Sequence, residues 1–235
     1  MEERMSRMER FIGLGTLVSG LYHEIKNPLT ALSIHVQLLE EGLDEAHVLD
    51  LVQELVGVLK TEVQRLGGVL ESFRSFANLQ RLSIEPTDVS DALRAAASLI
   101  SPQASEQHVQ IHYENITPDR CVAPVDPQKF EQAVVNLLIN AMEAMPSGGT
   151  LRLRSAIDST TLRVSVSDTG TGISADVQKN LFRPYFSTKH HGTGMGLAIT
   201  EKLVGQHGGH IQFESGPTGT TFELQFPLER KDEAA

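Results

Sequence analysis

Apolar residues in the first eighty positions return every seven residues, the spacing of a helix that buries one wide stripe. Phe11, Val18, Ile25, Leu32 and Leu39 form one column, and Leu14 with Leu21, and Gly15, Tyr22, Leu29 and Val36, lie on the same side. This predicts a helix over 2–40, whose apolar face Met5 and Met8 extend toward the N-terminus. Pro28 removes a backbone donor and crowds the carbonyl of Glu24, which ordinarily ends or kinks a helix. The repeat passes through Pro28 in phase, so a kink within one helix is expected. Glu41–Glu45 is short enough to join antiparallel neighbours. A second helix, from about Ala46 to Asn78, carries three columns: Val52, Leu59, Leu66, Phe73; Val48, Leu55, Val69, Phe76; and Leu49, Val56, Val63, Leu70. Three adjacent columns exceed what one partner helix covers. Two hairpins packed as a four-helix bundle would cover them, which makes the chain an obligate homodimer, with Leu59 and Leu66 between the subunits.

From Arg81 the period changes. Leu82–Val89 suits a linker entering an edge strand, Ser90 or Asp91 is placed to cap a helix over Ala92–Ile100, and Val109–Tyr113 alternates as a strand. Pro127 suits the first turn of a helix covering Phe130–Met145. Thr150–Ile157 with Thr161–Asp168 reads as a hairpin, Leu197–His207 as a helix, and His210–Ser215 with Thr220–Pro227 as a closing hairpin. Strands and helices without strict βαβ alternation predict an α/β sandwich with its helices on one face. The expected organisation is a helical hairpin over 1–80, a second domain over 81–230 and a disordered tail over 231–235.

Composition narrows the setting. The net charge of −10 is spread along the chain, with 7 basic and 12 acidic side chains in residues 1–80. The absence of a basic patch argues against nucleic acid or an anionic membrane as partner. One cysteine, Cys121, excludes an internal disulfide and fits a reducing compartment. No apolar run reaches the roughly 18–20 residues of a membrane span, and Met-Glu-Glu-Arg is not a signal peptide, so a cytoplasmic chain is expected.

The candidate chemistry lies in short motifs. His23 falls about 140° round the helix from the apolar seam, pointing outward beside Glu24, with Asn27 one turn on. Asn136 and Asn140 are one turn apart within an apolar helix, and an amide oxygen is a hard ligand suited to Mg²⁺. Asp168 ends a strand before Thr169-Gly170-Thr171-Gly172, where a carboxylate can accept from an adenine amine and glycines permit close approach. Gly192-Thr193-Gly194-Met195-Gly196-Leu197 opens a helix whose free N–H groups favour phosphate. His190, His191, His207 and His210 lack the cysteines or spaced carboxylate of a zinc site.

His23-Glu24-Ile25-Lys26-Asn27-Pro28-Leu29 resembles the H-box of sensor histidine kinases. The motifs at 136–144, 168–173, 181–189 and 192–197 resemble, in order, that family's N, G1, F and G2 boxes. The resemblance implies a dimeric helical bundle followed by a Bergerat ATP-binding fold. It also implies ATP-dependent autophosphorylation of His23, transfer to an aspartate of a response regulator, and phosphatase activity toward that regulator. By the same resemblance Glu24 takes the ring proton, Asn27 positions water, Asn140 holds magnesium, Asp168 meets adenine, and Gly170–Lys189 forms a mobile lid. Gly194 and Gly196 cradle phosphates, while Asn136, Gly170, Gly172, Gly192, Thr193, Leu197 and Thr220 complete the nucleotide contacts. Arg183 stands where the family usually has an acid, leaving Arg183 and Lys189 as alternative lid cations for the γ-phosphate. Only 22 residues precede His23, so a sensor is expected upstream or as a separate protein. The alternative is an ATP-driven clamp of the gyrase, chaperone and mismatch-repair type. Those proteins carry a glutamate where Asn136 stands, and Glu131, about 140° away on the helix, cannot replace it.

Overall fold

The computed structural model describes residues 20–22, 24–37, 48–77, 82–116, 121–189 and 193–229. His23, the connection Glu41–Glu45, the positions before 20, Leu39, His190, His191, Gly192 and the tail 231–235 lie outside the described residues. The chain forms two compact units: Met1–Asn78 with Pro184–Met195, and Leu79–Arg183 with Gly196–Ala235.

In the first unit residues 20–22 and 24–37 are helical (α1), and the helix continues across Pro28. A second helix, α2, spans Val48–Ala77. The columns read from the sequence separate by exposure. Leu55 and Val69 are buried, whereas Val56, Val63 and Leu70 are 39%, 59% and 53% exposed. Val52, Leu59, Leu66 and Phe73 are half-buried between them. On α1 the column Tyr22, Leu29 and Val36 is exposed as well. On α2 the chain therefore covers Leu55 and Val69 and leaves Val56, Val63 and Leu70 wet.

The second unit is a sheet backed by helices. Its five strands run in the order β2-β4-β5-β7-β6, where β2 is Val109–Asn115, β4 Gly149–Ile157, β5 Thr161–Asp168, β6 His210–Gly216 and β7 Gly219–Pro227. Only β2 and β4 pair in parallel, and the other neighbours are antiparallel. Strand β1 (Glu85–Asp88) pairs separately with β3 (Val122–Val125). Helices α3 (Val89–Glu106), α4 (Pro127–Ala144) and α6 (Gly196–Gln206) pack side by side, α4 in the middle, while α5 is the single turn Ala175–Gln178. Period-2 alternation buries Leu151 and Leu153 of β4, Leu162, Val164 and Val166 of β5, and Phe222, Leu224 and Phe226 of β7. These meet the stripe Phe130, Leu137, Leu138 and Ala141 of α4, with the Phe130 and Phe226 rings 5.5 Å apart.

Two local expectations are corrected. The first helix of this unit is capped by Asp88, whose carboxylate accepts from the N–H groups of Ser90 and Asp91, rather than by Ser90 or Asp91. It also runs past Ile100 through Pro102 to Glu106, because the buried positions Ala96, Ile100 and Ala104 continue one stripe while Pro102 faces outward. Strand β3, which contains Pro124, and the four-residue α5 are not anticipated by the sequence pattern, being too short to carry a period of their own.

Asp126 is the junction of the helical layer. It caps α4 by accepting from Lys129 N at 3.0 Å, and it accepts from Ser83 N at 2.8 Å. Its own N–H donates to His207 Nε2 at 3.0 Å, and His207 Nδ1 donates to Leu203 O at 2.7 Å. Both ring nitrogens of this buried histidine thus serve the fold, with the proton on Nδ1. Replacing His207 by leucine strands the Asp126 N–H away from water, an expected cost of about 1–3 kcal/mol. Urea unfolding measures it, and an unchanged midpoint would contradict this account.

Candidate nucleotide and phosphoacceptor residues

Asp168 ends β5 opposite Thr220 of β7. Its Oδ1 accepts from Gly170 N at 2.8 Å and from Thr220 N at 3.2 Å, which leaves Oδ2 as the oxygen able to meet an added donor. Burial pushes the carboxyl above the ordinary aspartate range, and the two backbone donors partly offset this. Ser215 Oγ accepts from Ile173 N at 2.8 Å and bonds Thr220 Oγ1 at 2.9 Å, tying the segment after β5 to the β6–β7 hairpin. The glycines of this segment are required by neighbouring backbone. A Cβ at Gly170 would lie 2.5 Å from Ala144 O, and one at Gly172, whose φ is 70°, would overlap the Gly216 carbonyl. The sequence suggested ligand approach as the reason for both, and close chain packing is sufficient.

On α4, Asn136 and Asn140 face the first residue of α6. A Cβ on Gly196 would stand 3.9 Å from Asn140 Nδ2 and 4.0 Å from Asn136 Cγ. Asn136 Nδ2 donates to Gly196 O at 3.2 Å and to Thr200 Oγ1 at 3.4 Å. Thr200 is fully buried, and its hydroxyl donates to Gly196 O at 3.0 Å, with Ala133 O at 3.4 Å. Sequence reasoning passed over Thr200; its one signal was a hydroxyl in the apolar helix four residues after Gly196. Leu197 is half-buried beside Gly196.

In the first unit Glu24 is half-buried and Asn27 exposed on α1. Tyr185, at φ 62°, lays its ring where a side chain on Gly20 would overlap it. Burial and then the Glu24 charge push its phenol above the usual range. Gly194, at φ 64°, leaves no room for a Cβ, which would fall 2.6 Å from the Tyr185 carbonyl carbon. Thr193 Oγ1 accepts from Met195 N at 3.4 Å. Of the two candidate lid cations, Arg183 Nη1 donates to Asn180 Oδ1 at 3.0 Å, and the backbone N–H of Lys189 donates to Ser187 Oγ at 3.1 Å. Among the described residues no three His, Cys, Asp or Glu side chains cluster as a metal site, and no helix is long and apolar enough to cross a membrane.

Two family descriptions match in sequence. "His Kinase A (phospho-acceptor) domain" covers residues 14–82 and "Histidine kinase-, DNA gyrase B-, and HSP90-like ATPase" covers residues 125–230. The chain is 32% identical over 239 residues to sensor histidine kinase ZraS of Escherichia coli K12, a match covering 99% of the chain and 50% of ZraS. It is 32% identical over 225 residues to the sensory histidine kinase/phosphatase NtrB of Rhodobacter capsulatus, covering 90% of the chain and 61% of NtrB. The chain thus spans about half the length of these curated relatives. In fold it resembles histidine kinase ThkA as crystallised with response regulator protein TrrA, with a TM-score of 0.81 at 24% identity, over 99% of this chain and 67% of that one. The chain belongs to the sensor histidine kinases. Its fold is the expected helical hairpin followed by an α/β sandwich.

The raised carboxyl of Asp168 sets a pH dependence. Because burial favours the neutral acid, Asp168 protonates at a higher pH than an ordinary aspartate of about 3.9. Adenine-nucleotide affinity is expected to be full at neutral pH and to fall on acidification through that raised value. Calorimetric titrations of the wild-type chain across pH should show this decline, and an affinity that stays flat on acidification would refute it.

Proposed function

We propose that this chain is an ATP:protein-histidine phosphotransferase that phosphorylates its own His23, passes the group to an aspartate of a response regulator, and dephosphorylates that regulator. The observation that carries the nucleotide part is the convergence of Asn136, Asn140 and Gly196 at the start of an 11-residue helix. Its first N–H groups and dipole suit the phosphates of ATP. Adenine is assigned to Asp168 Oδ2, Mg²⁺ to the amide oxygen of Asn140, and the remaining contacts to Gly170, Gly172, Gly192, Thr193, Gly194, Leu197 and Thr220. Lys189 or Arg183 would meet the γ-phosphate. The family match supports ATP use, and a hard amide ligand fits magnesium.

In the forward step an imidazole nitrogen of His23 attacks the γ-phosphorus, the bond to the β–γ bridging oxygen breaks, and ADP leaves with that electron pair. Glu24 takes the ring proton. Positioning and charge neutralisation supply most of the rate. Asn27, one turn from His23, has no useful proton affinity and acts by orienting water on the phosphorylated regulator. The name of NtrB and the complex of ThkA with TrrA support the phosphatase activity and the partner. The clamp reading is disfavoured because an amide at 136, its nitrogen engaged by Gly196 and Thr200, offers no base for water.

In this reading residues 1–80 are the dimerisation and phosphoacceptor part and 81–230 the catalytic part of a cytoplasmic signalling protein. Its sensor lies upstream or on another chain. A second copy covers the exposed column Val56, Val63 and Leu70, burial that stabilises by roughly 25 cal/mol per Å².

Labelling with γ-phosphate-labelled ATP tests the activity. The label should be acid-labile and base-stable, as for phosphohistidine, and an acid-stable label would refute it. Asn27→Ala should keep autophosphorylation while slowing regulator dephosphorylation at least tenfold, about 1.4 kcal/mol of barrier; parallel losses in both directions would reduce Asn27 to a structural role. Val63→Glu should give monomers in light scattering, whereas a folded dimer would contradict the bundle.

A further inference from the structure

The buried hydroxyl of Thr200 is absorbed by none of the motifs, yet it touches the residues to which nucleotide binding is assigned. Thr200 sits one turn into α6, fully buried. Its proton goes to Gly196 O at 3.0 Å, and its oxygen accepts from Asn136 Nδ2 at 3.4 Å. The same Asn136 nitrogen donates to Gly196 O at 3.2 Å. These three bonds close a ring between α4 and the first turn of α6, with the carbonyl of Ala133 completing its α4 side at 3.4 Å.

The ring decides which way the Asn136 amide faces. An amide can present either its nitrogen or its oxygen to a neighbour, and the two differ in sign. Gly196 O can only accept. Thr200, having given its proton to a carbonyl, turns a lone pair toward Asn136. Both partners therefore call for N–H, and the flipped amide would set its oxygen against two acceptors. With the nitrogen held on α6, Oδ1 is turned to the side away from Gly196 O, as an acceptor of fixed direction.

We infer that Thr200 is a positioning residue for nucleotide binding, acting by orienting the Asn136 amide; the inference rests on the ATP reading above. A valine at 200 matches the shape but removes the hydroxyl. One amide hydrogen then loses its partner, and the amide is held by a single bond to Gly196 O. A serine keeps the hydroxyl and loses only a methyl group.

The test is calorimetric titration of the whole chain with MgADP, beside thermal melts of the nucleotide-free protein. Thr200→Val should bind about tenfold more weakly, the scale of one hydrogen bond lost to a buried group, while melting within a few degrees of wild type. Thr200→Ser should bind like wild type. In an Asn136→Ala background, Thr200→Val should cost nothing further, since its effect passes through the amide. Should valine not fold, Thr200→Ala makes the same comparison with serine. Three results would overturn the inference: valine binding as tightly as wild type, serine losing as much as valine, or an undiminished loss in the Asn136→Ala background. A wild-type chain that does not bind MgADP would refute the nucleotide reading itself, an outcome distinct from these three.

Discussion

The carboxylate of Asp168, held by the backbone N–H groups of Gly170 and Thr220, is the contact on which the arrangement of the sheet-and-helix unit turns. It exists because β5 and β7 pair in the register that sets Asp168 opposite Thr220. A slip of one residue would turn the alternating buried side chains of both strands toward the wrong face. The apolar core and the polar site are therefore fixed by the same pairing. The segment after β5 leaves the strand through glycines that Ala144 and Gly216 leave no room to replace, and Ser215 and Thr220 stitch it down.

A second constraint acts across the helices. The middle helix α4 meets the sheet with Phe130, Leu137, Leu138 and Ala141, and meets α6 through Asn136. Its N-terminus is capped by Asp126, which His207 holds from the far end of α6. One helix is thus anchored to α6 twice, by a neutral histidine at one end and an oriented amide further along. The helical unit answers to a different demand. On its α2, Val56, Val63 and Leu70 stand exposed beside the buried Leu55 and Val69.

What the sequence made legible was local and periodic. Seven-residue columns located α2, and period-2 alternation located the two hairpins, to within a residue or two. Motif order singled out Asn136, Asn140 and Gly196, which the fold brings side by side. What escaped depended on distant partners. The helix over Ala92–Ile100 reads too short from the sequence because nothing local shows that the Pro102 ring faces outward while Ala104 continues the buried stripe. Strand β3 exists through pairing with β1, across more than thirty intervening residues. Gly170 and Gly172 looked like ligand positions because a sequence does not reveal the carbonyls beside them. Thr200 passed as one hydroxyl in an apolar helix until Ala133, Asn136 and Gly196 were seen around it.

The central claim is that one chain holds a nucleotide site built on Asp168 and a separate phosphoryl acceptor at His23. Measuring ATP binding and phosphoryl incorporation side by side on His23→Gln and Asp168→Asn tests it most directly. The account predicts that His23→Gln binds ATP as wild type does but takes up no phosphoryl group, while Asp168→Asn loses both. Incorporation that survives in His23→Gln, or ATP affinity that survives in Asp168→Asn, would contradict it.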